Sequence, residues 1–372
     1  MGKLNSLKQW LLFSKLPASQ RRYVFYSEGP AYWPHIGPVA EALADQGVSV
    51  CYLTSSLNDP GLSHPSPYIH SFYMGRSMIC TMWLMTMRAR MLIMTMPDLQ
   101  LSYVRRSPHV KHYSYLFHAA TSMHSYHISA LDHFDSILCA GPHHMREIRE
   151  IESTRKLAPK ALYEHGYTRL DGLMKNLEAI EHKTDEKCIL IAPTWGVNSL
   201  LRHDAGSIID ILLSDGYRVI LRPHPQSLRV ENSILSTLKE RYTDRIEWDI
   251  DHTKAHGLLE SSLMITDISG VMIDYAFAYR KPVIRIATPL DFSGCEHGFL
   301  TSPLIEESLC AHWEAVVAVN DIVNLSRHIK KLLGEWPHNA QIIEQLRQQT
   351  LYNIGKTAAC AANILRKIEN SL

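Results

Sequence analysis

Between Tyr23 and Thr288, short runs of β-branched and aliphatic residues alternate with segments of helical spacing, and the alternation is laid down twice. A strand followed by a helix and another strand requires a crossover, and crossovers join parallel strands. In the first half, "YVFYSE" reads as a strand, "GPAYWPH" as a Gly/Pro loop, "IGPVAEALADQG" as a helix stopping at Gly47, and "VSVCYLT" as the next strand. Further strands are expected at 91–99, 112–118 and 136–142, the last leading into the charged helix "HHMREIREIES". The second half repeats the scheme: "CILIAPT", the helix "SIIDILLSDG", "YRVILRPHP", then "SILSTLKERY", "IEWDI", "LMITDISG", "VMIDYAFAYRK" and "PVIRIAT". The polar stretch "KNLEAIEHKTDEK", around 174–187, reads as the linker between two α/β domains. The spacing of Gly29 and Gly37 is not G-x-G-x-x-G, so no dinucleotide fingerprint is read there.

Composition narrows the classes. With 372 residues, 46% hydrophobic and 20% charged, the chain can bury two sizeable cores. A net charge of +1 gives no global attraction to nucleic acid. Seven scattered cysteines without a C-x-x-C pair argue against a disulfide framework or a structural zinc, and so for a reducing cytoplasm. No apolar run reaches the ~20 residues of a spanning helix. At the N-terminus, Lys3, Lys8, Lys15, Arg21 and Arg22 mix with Trp10, Leu11, Leu12, Phe13 and Leu16. That suits a helix lying on an anionic membrane surface, or one docked on its own domain; the apolar core is too short for a signal peptide. Met74, Met78, Met82 and Met85 recur at helical spacing, which predicts a buried helix, with a surface for lipid or a lipid-linked acceptor as the other reading.

Four unusual polar motifs fall at expected strand ends, where open parallel sheets collect ligands. They are His118 in "LFHAATSMH", Thr194 in "APTWG", Arg222 and His224 in "RPHP", and Asp267, Ser269 and Gly270 in "TDISGVMID". A Ser-Gly turn entering a helix offers backbone N–H groups, a hydroxyl and the positive end of the helix dipole, an arrangement that suits phosphate; a plain N-cap is the alternative. Arg222 adds a planar fork of donors, and His224 can donate to an oxygen or carry a proton. Two anion-friendly elements in one half imply a diphosphate-bearing ligand. His118, from the other half, can act as general base on a hydroxyl or be structural. The histidines lack the spacing of a metal site, and none is expected. "YEHGYTRLDGL" reads as a hinge turn or as a loop closing the donor site.

In this order, "GYTRLD", "APTWG", "RPHP" and "TDISGVMIDYAFAYRKPVI" resemble the CDP-glycerol glycerophosphotransferase family, the teichoic-acid primase and polymerase type. The resemblance implies two Rossmann-like domains facing across a cleft (GT-B type). The expected layout is a basic amphipathic segment at 1–22, an acceptor domain at 23–175, a nucleotide-donor domain at 186–335 and C-terminal helices at 336–372. It further implies a CDP-alditol donor, a glycan or lipid-linked acceptor, no cofactor, and a cytoplasmic enzyme peripheral on the inner membrane face. By the same resemblance His118 is the base, His224 and Arg222 hold or protonate the diphosphate, and Ser269 and Gly270 bind phosphate. Asp267, Thr194, Arg169 and Asp274 play supporting parts. Where that family has Trp-His-Gly-Thr, this chain has Phe117-His118-Ala119-Ala120; the family's paired serine is Gly270 and its arginine after Trp is Gly196. A sugar transferase or UDP-sugar epimerase of the same architecture, and a non-catalytic nucleotide-binding protein, remain the rival readings.

Overall fold

The structure, a computed structural model, describes residues 2–76, 78–101, 104–179, 184–252 and 254–372, with the side chains of 2–5 and 337–340 left aside. The chain forms two compact units. Unit 1 holds residues 1–172, 294–301 and 349–372, and unit 2 holds 173–293 and 302–348. The C-terminal helices expected as one terminal segment are therefore shared between the units. Of the expected linker, 180–183 lie outside the described residues, while Thr168–Glu178 is helical.

Unit 1 is built on seven strands: β1 (Tyr23–Ser27), β2 (Val50–Thr54), β3 (Ile69–Tyr73), β4 (Ala89–Met94), β5 (Val110–Leu116), β6 (Ser136–Cys139) and β7 (Ala161–Glu164). Their order across the sheet is β3-β2-β1-β4-β5-β6-β7, and every neighbouring pair is parallel. Unit 2 has six: β8 (Asp185–Ile191), β9 (Arg218–Leu221), β10 (Glu247–Trp248), β11 (Ser261–Thr266), β12 (Val283–Ala287) and β13 (Val316–Ala318). These run β10-β9-β8-β11-β12-β13, again all parallel. In each sheet the order reverses once, between β1 and β4 and between β8 and β11, and such switch points are where ligands enter open sheets.

The central strands read as continuous apolar runs because helices cover both faces. β1, β2, β6 and β11 are buried along their whole length. On one face of the first sheet, Ile36, Val39 and Leu43 of helix Trp33–Ala44 meet Ala361, Ala362, Leu365 and Ile368 of helix Thr357–Ser371. Residues 349–372 thus complete the core of unit 1.

Helix Gly2–Lys15 docks through Phe13, whose ring lies 5.6 Å from Phe72 and 5.5 Å from Trp83. The methionine pattern departs from expectation. Helix Met78–Thr86 buries Cys80, Trp83 and Leu84, so Met78, Met82 and Met85 face outward, and Met74 is buried ahead of the helix. Trp83 occupies the inward position because its large ring removes more apolar area from water than a methionine would. No helix among the described residues is long and apolar enough to cross a membrane.

Candidate active site

In unit 2 the motifs gather around the switch point. The loop after β8 carries Thr194 and the loop after β11 carries Asp267, and the two are tied together. The fully buried Asp267 carboxylate accepts from the backbone N–H of Thr194 at 2.8 Å and of Leu200 at 2.7 Å. Burial pushes its carboxyl up to about 6, and the backbone donors pull it back down. At neutral pH it is ionised, and both oxygens are spent on the loop. Asp267 positions the loop and does not reach for a ligand.

Behind it, helix Val271–Ala278 begins with Gly270 at its N-cap and has no side-chain cap there. The Asp267 carboxylate is held by Thr194 and Leu200 instead of capping this end, and Ser269 meets the helix through its carbonyl, which accepts the Met272 N–H at 3.1 Å. The N–H groups of Met272 and Ile273 donate to the Ser269 and Gly270 carbonyls at 3.1 Å, so it is the N–H groups of Gly270 and Val271, with the helix dipole, that favour an anion beside the buried Ser269. Asp274 is buried in the same first turn.

Beyond β9, the two motif residues separate in role. Arg222 is buried, and its Nη1 donates to Asp249 Oδ2 at 2.5 Å; the same oxygen accepts the Gly257 N–H at 3.0 Å. The guanidinium expected to grip diphosphate is therefore partly committed to a carboxylate that pins the loop after β10. His224 Nδ1 accepts the Gln226 N–H at 3.1 Å, which places the ring proton on Nε2. Burial, reinforced by the charge of His252, lowers the ring to about 4. At neutral pH His224 is thus a neutral N–H donor rather than an acid. The half-exposed Trp195 ring stacks over it at 6.1 Å. Sequence reading did not mark Asp249, which pairs with Arg222, or His252, whose charge acts on His224; both follow a two-residue strand with no motif to mark them.

In unit 1, His118 lies two residues past β5, buried enough to lower its pKa to about 4, with a backbone hydrogen bond at Thr95 partly opposing. Tyr115 Oη approaches its Nδ1 at 3.4 Å, and Tyr126 Oη lies 3.2 Å from Tyr115 Oη. A neutral imidazole is the proton-accepting form. Around it stand residues the sequence reading left in a loop: the Tyr32 ring at 5.5 Å and the His35 ring at 6.1 Å, with Tyr167 5.7 Å from His35. Desolvation, then the charge of Arg169, then His118 hold His35 well below its ordinary value. Arg169 thus acts through its charge on His35. Its neighbour Asp171 accepts from Gly355 N, Thr357 N and Thr357 Oγ1, and so caps helix Thr357–Ser371.

Known proteins share the fold. The wall teichoic acid polymerase TagF superposes with a TM-score of 0.58 over 98% of this chain and 94% of that one, at 13% identity. The UDP-GlcNAc 2-epimerase of Methanocaldococcus jannaschii does so with 0.60 over 93% and 99%, at 10% identity. At such identities the likeness is one of fold, and the fold is GT-B-like. In sequence, the teichoic acid poly(glycerol phosphate) polymerase of Bacillus spizizenii is 30% identical over 143 residues, 36% of this chain. The matched stretch spans about a third of that relative's length (34%). Residues 77–300 match the family described as CDP-Glycerol:Poly(glycerophosphate) glycerophosphotransferase. That match takes in His118, the RPHP strand end and the Asp-x-Ser turn, and extends over more than half of the sequence: the chain belongs to the CDP-glycerol:poly(glycerophosphate) glycerophosphotransferase family.

Proposed function

We propose that the protein transfers an alditol phosphate, glycerol phosphate in the first instance, from a CDP-activated donor to a hydroxyl of a poly(glycerophosphate) or lipid-linked acceptor. The observation that carries this reading is the unit 2 switch point. The loops after β9 and β11, on either side of β8, supply its parts: His224 with its ring proton on Nε2, and the buried Ser269 with the Gly270 and Val271 N–H groups at the helix start. In the proposed reaction the acceptor hydroxyl gives its proton to His118 and attacks the distal phosphorus. The bond from that phosphorus to the bridging oxygen breaks, and CMP leaves with the electron pair. His224 and the N–H groups of Gly270 and Val271, at the start of helix Val271–Ala278, stabilise the charge on CMP; Arg222 contributes through the nitrogens that Asp249 does not hold. Positioning and electrostatics supply the catalysis, as in phosphoryl transfer generally.

The test is CMP release from CDP-glycerol. His224→Ala is expected to lower kcat on the order of 100-fold, the usual cost of one preorganised donor. His118→Ala should abolish turnover while leaving CDP binding intact. Turnover by His224→Ala within a few-fold of the parent defeats the role assigned to it, and release of UDP from a UDP-sugar instead favours the epimerase or glycosyltransferase reading.

A membrane-bound acceptor agrees with the outer faces of two packed helices. Leu7, Leu11 and Leu12 on helix Gly2–Lys15 and Met78, Met82 and Met85 on helix Met78–Thr86 are exposed, Met78 by 80%. With Lys8, Lys15 and Arg88 nearby in sequence, these faces suit the surface of an anionic bilayer. Co-flotation with phosphatidylglycerol vesicles should be lost in Leu11→Ser/Leu12→Ser; equal flotation of that variant overturns the assignment of the surface.

A further inference from the structure

All strands of a parallel sheet start at the same edge, so the edge of unit 1 opposite His118 is lined by the residues that precede or begin β1, β4 and β5. There the structure holds a cavity of about 720 Å³. Its size falls in the ~300–1,000 Å³ range of small-ligand sites. Arg21, Arg22, Arg88, Arg90 and Lys111 line it, with His109 beside them; among the described residues the one carboxylate on the wall is Glu369. Five cations against one carboxylate leave a formal excess of four positive charges.

Glu369 is consumed internally. Its side chain is buried, Arg22 Nε donates to Oε1 at 2.9 Å, and Arg90 Nε lies 2.7 Å from the same oxygen. Arg90 Nη2 also donates to the Glu369 carbonyl at 3.1 Å, at the C-terminal end of helix Thr357–Ser371. These contacts fix two guanidinium groups in the wall. The other cations are not spent in this way. Arg21 Nε is shielded from water with no hydrogen-bond acceptor among the described residues, and its Nη1 reaches only the Arg88 carbonyl, at 3.2 Å. Arg88 and Lys111 line the cavity, are exposed, and form no ion pair among the described residues. Like charges held this close repel unless an anion offsets them. Guanidinium forks fit the oxygens of a phosphate best.

We propose that this cavity is a second binding site, for the phosphate ester of an anionic ligand, at the end of the sheet away from the proposed catalytic base. The inference stands on this charge cluster and goes beyond the transferase reading. The ester has two sources, a free organic phosphate or the headgroup of an acidic lipid, since Ala18 and Ser19 carry the cavity wall to the turn that follows helix Gly2–Lys15.

The full chain is titrated calorimetrically with glycerol 3-phosphate and, separately, floated with phosphatidylcholine vesicles with and without phosphatidylglycerol. Arg88→Glu/Lys111→Glu changes exposed positions and leaves the Glu369 cluster alone. It is expected to weaken binding about tenfold or more, the worth of one charge-assisted contact. Arg88→Gln/Lys111→Gln should fall between it and the parent, which keeps the test sound if charge reversal disturbs folding. Loss seen with glycerol 3-phosphate assigns a free ester, and loss seen only with phosphatidylglycerol vesicles assigns a headgroup. If the parent chain binds neither probe, or the glutamine variant binds both as tightly as the parent, the proposal fails.

Discussion

At the scale of single residues, the candidate site depends on side chains whose bonding states are fixed by neighbours. His224 is a donor because Gln226 occupies its other nitrogen, and Asp267 is an acceptor twice over because two N–H groups of the loop after β8 point at it. Replacing Asp267 by Asn sets an NH₂ group against a backbone N–H that has no other acceptor, at a cost of about 1–3 kcal/mol. Asp267→Asn is therefore expected to lower the thermal stability of unit 2 and to weaken CDP binding together, by melting curve and titration. An unchanged melting point would show that the carboxylate does not hold the loop. The strand-end motifs were legible in the sequence because prolines and glycines interrupt apolar runs there. The pairing of Arg222 with Asp249 was not, because Asp249 is 27 residues away on a neighbouring strand end and no local pattern marks it. His35 stayed hidden for a related reason: Trp33 and Pro34 read as loop, whereas the structure starts a helix at Trp33.

At the scale of elements, the interior strands of both sheets were readable and three of the edges were not. β3, β7 and β13 each border a sheet and are incompletely buried, so they lack the continuous apolar run that betrays a central strand. Helix ends at Gly47 and Gly216 fell where the sequence placed them. The outward methionines show the limit of periodicity: spacing announced a helix but not which stripe faces in, and Trp83 decided that. Another element-scale constraint lies at Gly166, where φ is +109° and a Cβ would come within 2.4 Å of both the Tyr352 carbonyl and Thr357 Cγ2. Gly166→Ala combines backbone strain of about 1–3 kcal/mol with a steric block. Residues 352–357 should then dock poorly, seen as a lowered melting point and faster proteolysis near residue 355; parent-like resistance would argue against close approach at this turn.

At the scale of the molecule, the histidines divide unevenly. Burial holds His118 and His143 at about 4, His165 at about 3, and His35 and His144 well below their ordinary value, all in unit 1. In unit 2, His224 is lowered in the same way, while Asp267 is raised to about 6. A histidine lowered in the folded state binds its proton first in the unfolded chain. Its stabilising effect is complete above about pH 6.5 and is lost as pH falls toward 4. Asp267 works the other way, because the folded carboxyl takes up its proton before the unfolded one. Acidification should therefore open unit 1 at a higher pH than unit 2. Hydrogen exchange read by mass spectrometry between pH 7 and 4 resolves the two, and simultaneous loss of protection would contradict the assignment.

The return of residues 349–372 to the first sheet also orders events during synthesis. Everything unit 2 needs has been polymerised by Gln348, but Ile36, Val39 and Leu43 still lack the helix that covers them. That helix leaves the ribosome on the order of ten seconds or more after the rest of the first sheet, at ordinary elongation rates. The unit encoded second is thus the first able to mature, and the nascent first unit spends that interval with an oily face open to chaperones.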